Sequence, residues 1–306
     1  MAFASVGHGG GPAAVPPVAA AARRRRRATP YLLLLPGIAW LVVFFAMPIG
    51  TLFSTSLMAP GASGAMGDYV PALNVANYVD ALQRYWAQYL RSFLYAGLAT
   101  VLALALAYPL AYFIAQKAGR MRNILLVLVV APFFVSFVLR TLAWRQLLGE
   151  EGYIVPVIRY LHLIPAGATV TASPVAVVMG LTYTFLPFMT LPIYASLERV
   201  DPRLIEAGGD LYANAFTTFR KVTFPLSLPG VVAGTLLTFI PASGDYVNAT
   251  LLGRPPQTVM IGNVIEANFF KLQDYPTVAV LSFVLMATIL ALVTVYIRRA
   301  GTEDLV

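Results

Sequence analysis

The chain has 306 residues, of which 59% are hydrophobic and only 11% are charged, and its formal net charge is +8. A soluble domain carries about 25% charged residues, so the composition excludes an ordinary water-soluble protein. Cysteine is absent and only two histidines occur, which excludes a disulfide framework and a cysteine- or histidine-based metal site. In a membrane protein the excess of Lys and Arg marks the cytoplasmic side, so we predict no metal and no nucleic-acid partner.

Six stretches without a charged residue predict six membrane spans. They are residues 28–67, 92–116, 123–139, 160–197, 222–244 and 275–297. Each is long enough for a spanning helix, which needs roughly 17–25 mainly apolar residues. In chain order we predict helices at about 31–58, 90–115, 123–144, 173–197, 224–248 and 275–297. The predicted fold class is all-α and integral to the lipid bilayer.

The first 29 residues differ in kind from the rest. They are rich in Gly, Ala and Pro and end in the arginine run Arg23 to Arg27, a composition typical of disorder. We interpret the arginine run as an uncleaved topological anchor, with a nucleic-acid or acidic-lipid patch as the alternative. Residues 30–300 are then the transmembrane domain, and 301–306 form a short cytoplasmic tail.

The distribution of basic residues predicts the orientation. With segments 59–88, 145–172 and 249–273 placed outside, together with Arg91 and Arg140 at the outer ends of two spans, the inner side receives 14 Lys and Arg residues and the outer side 7. This bias predicts that both termini are cytoplasmic. It also places residues 198–223 in the cytoplasm, between the fourth and fifth predicted spans.

That cytoplasmic segment contains an unusual polar sequence, "LIEAGGDLYANAFTTFRKVTFPLSLPG". Asp201 followed by Pro202 is typical of a helix start, and Gly208 with Gly209 ends the helix and permits a sharp turn. Asp210 then caps a second, amphipathic helix. The pattern predicts a helix–kink–helix element, held at both ends by membrane helices and suited to contact with another protein.

The same segment resembles the EAA loop of bacterial ABC importer permeases. The resemblance rests on Glu206-Ala207-Gly208, Asp210-Leu211 and the sequence "PLSLPG" at 225–230, and it extends over about residues 31–300. It is closest to the spermidine/putrescine branch in "ASPVAVVMGLTYTFLPFMTLPIYASLERVDPRLIEAGGDL" and "PASGDYVNATLLGRPPQTVMIGNVI". Two positions depart from the family pattern: Gly208 stands in place of the third alanine, and Tyr212 in place of a glycine.

The resemblance implies the six-helix type I ABC importer (MetI-like) architecture in a bacterial inner membrane. It implies two ATPase subunits, a second homologous permease and an extracytoplasmic substrate-binding protein as partners. ATP and Mg are then bound by the ATPases, so this chain needs no cofactor and performs no covalent chemistry. The residues implied to couple to the ATPase are Glu206, Ala207, Gly208, Asp210, Leu211, Tyr212 and Phe216.

Several charged residues of this segment have simpler interpretations. Glu206 would stabilise a short helix if it lay near the N-terminus, but it lies near the C-terminal end, where a negative charge is unfavourable. The basic residues contact the ATPase in one interpretation and only fix the topology in the other; they are Arg199, Arg203, Arg220 and Lys221.

Asp245 is the candidate for contact with the solute. An ionisable residue in a predicted span is a functional-site hypothesis by default, and Tyr246 beside it adds a cation–π surface for an ammonium group. The alternative is that Asp245 lies at the membrane interface, solvated or paired with Arg254.

Two other function classes remain to be weighed. An ATP-independent secondary transporter or channel predicts paired intramembrane acids and discontinuous helices in both halves. A membrane-embedded enzyme predicts a cluster of His, Asp or Glu at the membrane face. The sequence leaves the solute open among polyamines, other small cations, amino-acid-like solutes and metal chelates, because the family implies that a separate binding protein sets specificity.

Overall fold

The computed structural model describes residues 33–63, 65–149, 152–160, 170–201, 203–204 and 214–300. The chain divides after Ser54 into two compact units. Both predicted terminal tails, 1–29 and 301–306, lie outside the described residues.

The first described element is a long apolar helix, α1 (Leu33–Ser56). It contains a π-helical turn at Val42–Ala46. Its large side chains are exposed, including Trp40 at 64% and Phe45 at 67%. A helix that is apolar all round is suited to lipid or to another membrane-embedded surface.

The remaining elements are helices with one small hairpin. The hairpin pairs β1 (Ala59–Pro60) with β2 (Tyr69–Val70) in antiparallel register. The helices are α2 (Ala76–Gln116), α3 (Arg122–Val130), α4 (Phe137–Leu147), α5 (Ile154–Tyr160), α6 (Pro174–Glu198), α7 (Phe224–Ser243), α8 (Val247–Leu252), α9 (Ile261–Ala267) and α10 (Tyr275–Ala300). Short helical turns of other kinds lie at Gly119–Met121, Ala131–Phe134, Ala215–Thr218, Phe219–Thr223 and Asn268–Leu272.

Five helical segments of the described chain are long and apolar enough to cross a membrane. They are Leu33–Ser56, Ala76–Gln116, Pro174–Glu198, Phe216–Ser243 and Tyr275–Arg299. The sixth predicted span corresponds to a bent pair, Gly119–Phe134 with Phe137–Leu147, whose two parts meet at 98°. The all-α membrane fold with six spans is therefore confirmed, with the bent pair as one span.

The second span begins earlier than predicted. We expected an outside segment to residue 88 and a helix from 90, but α2 starts at Ala76. The charged residues Asp80 and Arg84 are unfavourable inside a lipid bilayer, but they are compatible with a helix. The absence of charge therefore did not predict where this helix begins. The added turns pack on α9 and α10 through a cluster that includes Tyr89, Ile261 and Leu281.

The prediction of a continuous third span at 123–144 is wrong. Proline has no N–H and clashes with the preceding turn, and Pro132 lies in a 3-10 turn that ends the first half. Val135 and Ser136 then have extended backbone, with ψ of 140° and 134°. The second half, α4, consequently leaves in another direction.

The fifth span also ends earlier than predicted. We expected a helix to residue 248, but α7 ends at Ser243, and Gly244, Asp245 and Tyr246 are not helical. The helix α9 approaches this break closely, since a Cβ on Gly262 would lie 2.4 Å from the Gly244 carbonyl oxygen. Only glycine fits there. The predicted outside loop at 249–273 is itself largely helical.

The centre of the second unit is a close-packed group of three helices, α2, α6 and α7. One face of α2 consists of alanines that are fully buried: Ala96, Ala99, Ala103, Ala107 and Ala111. On α7, a Cβ on Gly230 would lie 2.5 Å from the Pro192 carbonyl oxygen of α6. Small residues let membrane helices approach closely and gain dispersion contacts. This group of three helices supports the bent third span and the break that follows α7.

Candidate functional site

A cavity of about 430 Å³ lies where the two broken spans meet the middle of α6. The first break contributes Phe133, Phe137 and Arg140, and the second contributes Gly244, Asp245 and Tyr246. The remaining lining residues are Thr184, Phe185, Phe188, Pro241 and Val247. Two distant parts of the sequence therefore supply its polar groups.

The two helix breaks place irregular backbone beside this cavity. Both breaks leave N–H and C=O groups outside regular helix, at Val135–Ser136 and at 244–246. Such groups are tolerated at membrane depth only where they are buried in protein or line an aqueous cavity. Discontinuous helices at a cavity are also a general way to place backbone and side-chain groups around a solute.

Asp245 is held on the cavity wall by its own chain neighbour. Its Oδ1 accepts a hydrogen bond from the Asn248 backbone N–H at 2.8 Å, and its Oδ2 accepts one from the Asn248 side-chain amide at 3.2 Å. Asp245 therefore caps the start of α8. Its predicted alternative partner, Arg254, is exposed, and the one ion pair among the described residues is elsewhere in the chain. The pairing with Arg254 is thus wrong.

Tyr246 lies next to Asp245 on the same cavity. Its side chain is 47% exposed, and its carbonyl accepts a hydrogen bond from the Asn263 side chain at 3.0 Å. The structure thus brings the two predicted solute-path residues together on one wall. An ammonium group placed there would meet a carboxylate and an aromatic face, which are the two protein surfaces that attract such a cation.

Arg140 is a cavity residue that the sequence interpretation missed. Its side chain is only 8% exposed, and its Nη1 donates to the Pro132 carbonyl at 2.8 Å across the first break. We had counted it only among the outer arginines that fix topology. The signal was nevertheless present: an ionisable residue inside the predicted span 123–144 is a functional candidate by the same rule that selected Asp245.

Most of the predicted coupling residues lie outside the described part of the chain. Glu206, Ala207, Gly208, Asp210, Leu211 and Tyr212 belong to the range 205–213, of which the structure describes nothing. Phe216 is described, lies on the turn Ala215–Thr218 and is 70% exposed. The four basic side chains of the segment are exposed: Arg199, Arg203, Arg220 and Lys221.

The start of this segment is fastened to neighbouring helices. Arg122 forms an ion pair with Glu198 at the end of α6 and donates a hydrogen bond to the Tyr194 hydroxyl. The Gln116 side-chain amide at the end of α2 donates to the Leu197 carbonyl at 3.0 Å. A displacement of the segment therefore acts on α2 and α3 as well as on α6.

The carboxylate groups of the described residues are spread over several elements. No three of the His, Asp and Glu side chains in that part of the chain converge in a way that would hold a metal ion. Asp245 is the only carboxylate on the cavity lining.

The sequence matches a described protein family over residues 107–300. That family is described as "Binding-protein-dependent transport system inner membrane component". The chain is also 33% identical over 263 residues to the spermidine/putrescine transport system permease protein PotB of Escherichia coli (strain K12). This similarity covers 86% of the chain and 94% of that relative.

Two solved structures share the fold at low sequence identity. The first is a bacterial ABC transporter involved in the import of the acidic polysaccharide alginate, with a TM-score of 0.71 and 15% identity, covering 92% of this chain and 97% of that one. The second is a bacterial alginate ABC transporter in complex with an alginate pentasaccharide-bound periplasmic protein, with a TM-score of 0.70 and 16% identity. It covers 91% of this chain and 96% of that one.

Proposed function

Because the chain belongs to the family of binding-protein-dependent transport system inner membrane components, we propose that it carries polyamines such as spermidine or putrescine. The chain is a multi-pass permease subunit of an importer, as the resemblance of the EAA segment implied. The polyamine is supported by the name of the relative that is 33% identical over most of both chains.

The observation that carries the proposed solute is the composition of the cavity. Its lining combines one carboxylate, Asp245, with the aromatic side chains Phe133, Phe137, Phe185, Phe188 and Tyr246. A polyamine is a flexible chain of methylenes between ammonium groups, so it needs anionic or aromatic groups for its charges and apolar walls for its stem. The cavity offers both within about 430 Å³.

We propose that the chain works with three kinds of partner protein. Two ATPase subunits bind the cytoplasmic segment 198–223, a second homologous permease completes the path, and a substrate-binding protein delivers the solute from outside. The periplasmic protein in one of the structural relatives supports the last of these. In this arrangement both termini are cytoplasmic.

The proposed mechanism is alternating access driven by the ATPases. Closure of the ATPase pair on ATP moves the segment around Glu206, and the spans rotate until the cavity opens outward. The ties from Arg122 to Glu198 and from Gln116 to Leu197 support this proposal, because they couple the segment to three helices. Hydrolysis then returns the cavity to the cytoplasmic side.

An ATP-independent transporter is the main rival. The two broken spans are a feature which that class predicts. It also predicts paired intramembrane acids, whereas among the described cavity residues Asp245 is the only one. The EAA-like segment has no role in a transporter without an ATPase.

The deciding experiment is uptake by the complete importer. The chain is reconstituted in liposomes with its ATPase, partner permease and binding protein, and entry of labelled putrescine and spermidine is measured with ATP, with a non-hydrolysable analogue and without nucleotide. We expect accumulation with ATP alone. Full-rate uptake without ATP would establish the rival, and ATP-driven uptake that excludes both polyamines would refute the proposed solute.

The coupling segment is tested in the same vesicles. We expect Glu206→Lys to insert and assemble normally but to lose most ATP-driven uptake, because the change reverses the charge at the proposed ATPase contact. Asp80→Lys is the control for the charge change, since Asp80 is an exposed acid of α2 and lies outside the segment 198–223. Equal uptake by the Glu206→Lys variant and the unsubstituted protein contradicts this role.

A further inference from the structure

The guanidinium of Arg140 is buried without a counter-charge. A guanidinium has five N–H donors, yet among the described residues the one acceptor within hydrogen-bonding distance is the Pro132 carbonyl. The buried Nε has no partner, and no described carboxylate lies within 4.0 Å. A buried charge is normally paired, so another kind of group must stabilise this one.

Three aromatic rings surround this guanidinium. Its central carbon lies 5.7 Å from the ring centroids of Phe133 and Phe137 and 5.8 Å from that of Tyr183. All three distances fall within the roughly 6 Å range over which a cation is attracted to an aromatic face. Phe188 packs edge-on against Phe133 at 5.0 Å, which fixes the orientation of that ring.

Two of these three rings line the solute cavity. Phe133 and Phe137 line it together with Arg140 itself, while Asp245 lines it from the second break. An aromatic cage is a binding site for ammonium groups in general, and here it is already filled by a cation of the chain.

We propose that the rings of Phe133, Phe137 and Tyr183 are a cation site of the solute cavity and that Arg140 is its tethered occupant, which an ammonium group of the solute displaces. The displacement by a solute rests on the proposed function, because it requires a cationic solute.

This arrangement favours solutes with more than one positive charge. A monovalent cation at the rings merely exchanges one cation for another, and it leaves the guanidinium to be accommodated elsewhere. A diamine replaces Arg140 at the rings with one ammonium group and reaches Asp245 with the other. Arg140 therefore acts as a specificity-determining residue that disfavours single charges at this site.

The test uses tetramethylammonium as a probe of the cage. The complete importer is placed in lipid nanodiscs, and the unfolding temperature of this chain is followed with and without the probe at millimolar concentration, against sodium chloride of equal ionic strength. We expect no shift in the unsubstituted protein or in Arg140→Lys, whose ammonium still occupies the cage. We expect Arg140→Ala to gain a rise of about 2–4 °C, because a shift of this size corresponds to about 1 kcal/mol of binding free energy, which roughly a fourfold excess of the probe over its Kd supplies.

Matched variants separate this result from a general effect. Arg145→Ala removes an exposed arginine of the same helix and should behave as the unsubstituted protein. Phe133→Ala combined with Arg140→Ala should lose the probe-dependent rise. Where Arg140→Ala does not assemble, Arg140→Met replaces it, since it keeps the apolar stem without the charge.

Two outcomes overturn the proposal. The first is an equal response to tetramethylammonium with and without Arg140, or a response that survives Phe133→Ala. The second is stabilisation of the unsubstituted protein by sodium acetate that disappears in Arg140→Ala, because the guanidinium would then be an anion site. None of these measurements uses ATP or a polyamine, so their outcome is independent of the uptake experiment.

Discussion

The packed centre and the broken spans of this molecule consist of different types of residue. In the centre, alanines of α2 and glycines of α7 face α6, and several buried hydroxyl groups bond to carbonyls of their own helix. Around the cavity, the helices stop, and charged side chains hold the freed backbone groups. The difference shows that the chain uses small side chains where helices must stay together, and helix ends where groups must face a solute.

The two breaks carry side chains of opposite charge, Arg140 at the first and Asp245 at the second. At the first break the Pro132 carbonyl accepts the Val135 N–H at 3.2 Å and also the Arg140 Nη1–H at 2.8 Å, so a donor side chain suits this position. The second begins a new helix with free N–H groups, which need an acceptor, and Asp245 supplies it. Helix ends present carbonyls and helix starts present N–H groups, so each charge has a local structural cause as well as a place on the cavity.

The largest effect is expected in the packed centre. Gly230→Ala places a Cβ about 2.5 Å from the Pro192 carbonyl oxygen, and overpacking of this kind costs about 1–3 kcal/mol or more. Gly97→Ala is the control, since a Cβ there meets nothing within 4 Å and helix propensity favours alanine by about 0.5–1 kcal/mol. Thermal unfolding in detergent should show a lower midpoint for Gly230→Ala alone; equal midpoints would show that the centre is not close-packed.

At the second break we expect function and stability to separate. Asn caps helices as well as Asp does, so Asp245→Asn should keep the unfolding temperature and lose the attraction for an ammonium group. Hydrogen bonds to charged groups contribute about 1.5–3 kcal/mol. The loss of one such bond corresponds to a roughly 10- to 150-fold lower kcat/KM for polyamine uptake.

Asp245→Ala should lose uptake to the same extent and also about 1 kcal/mol of stability, because the cap is gone. Unfolding midpoints and uptake rates measured on both variants distinguish the two roles. Normal uptake by Asp245→Asn would show that Asp245 only caps the helix. The second break would then have no special role in solute binding.

The smallest effect is expected at Tyr246. Tyr246→Phe keeps the ring and should leave the KM for polyamine uptake nearly unchanged. Tyr246→Leu removes a partly exposed cation–π partner worth about 0.5–1 kcal/mol, so its KM should rise about two- to fivefold. A larger rise for Phe than for Leu would assign the contribution to the hydroxyl group instead of the aromatic face.

Charge-free stretches predicted the number of spans well but their interruptions poorly. Hydropathy registers how apolar a stretch is, and both halves of the bent span are apolar, so the 98° bend left no trace in it. Pro132 and the Gly244 turn were the local signals. Prolines also lie inside continuous helices of this chain, as at Pro109 and Pro187, so a proline alone does not locate a break.

Each of the two charged residues of the cavity could be selected from the sequence, but their proximity could not. Asp245 stood out as an acid in an apolar run, and Arg140 satisfied the same criterion in another run. Their meeting on one cavity depends on the bend after Pro132 and on the packing of α9 against the second break through Gly262. Such tertiary contacts have no local signature, so a single sequence could not reveal them.

The length of α2 has a mechanical consequence. Its 41 residues form one helix about 60 Å long at about 1.5 Å per residue, roughly twice the thickness of the hydrocarbon layer. At one end the Gln116 side-chain amide donates to the Leu197 carbonyl beside the segment 198–223. Toward the other end, Arg91 donates to the Val259 carbonyl and the Ser92 hydroxyl accepts from the Ile261 N–H. If α2 tilts by about 5° around one of its ends, its other end moves by about 5 Å. A motion at one end of α2 is therefore transmitted to the elements that contact its other end.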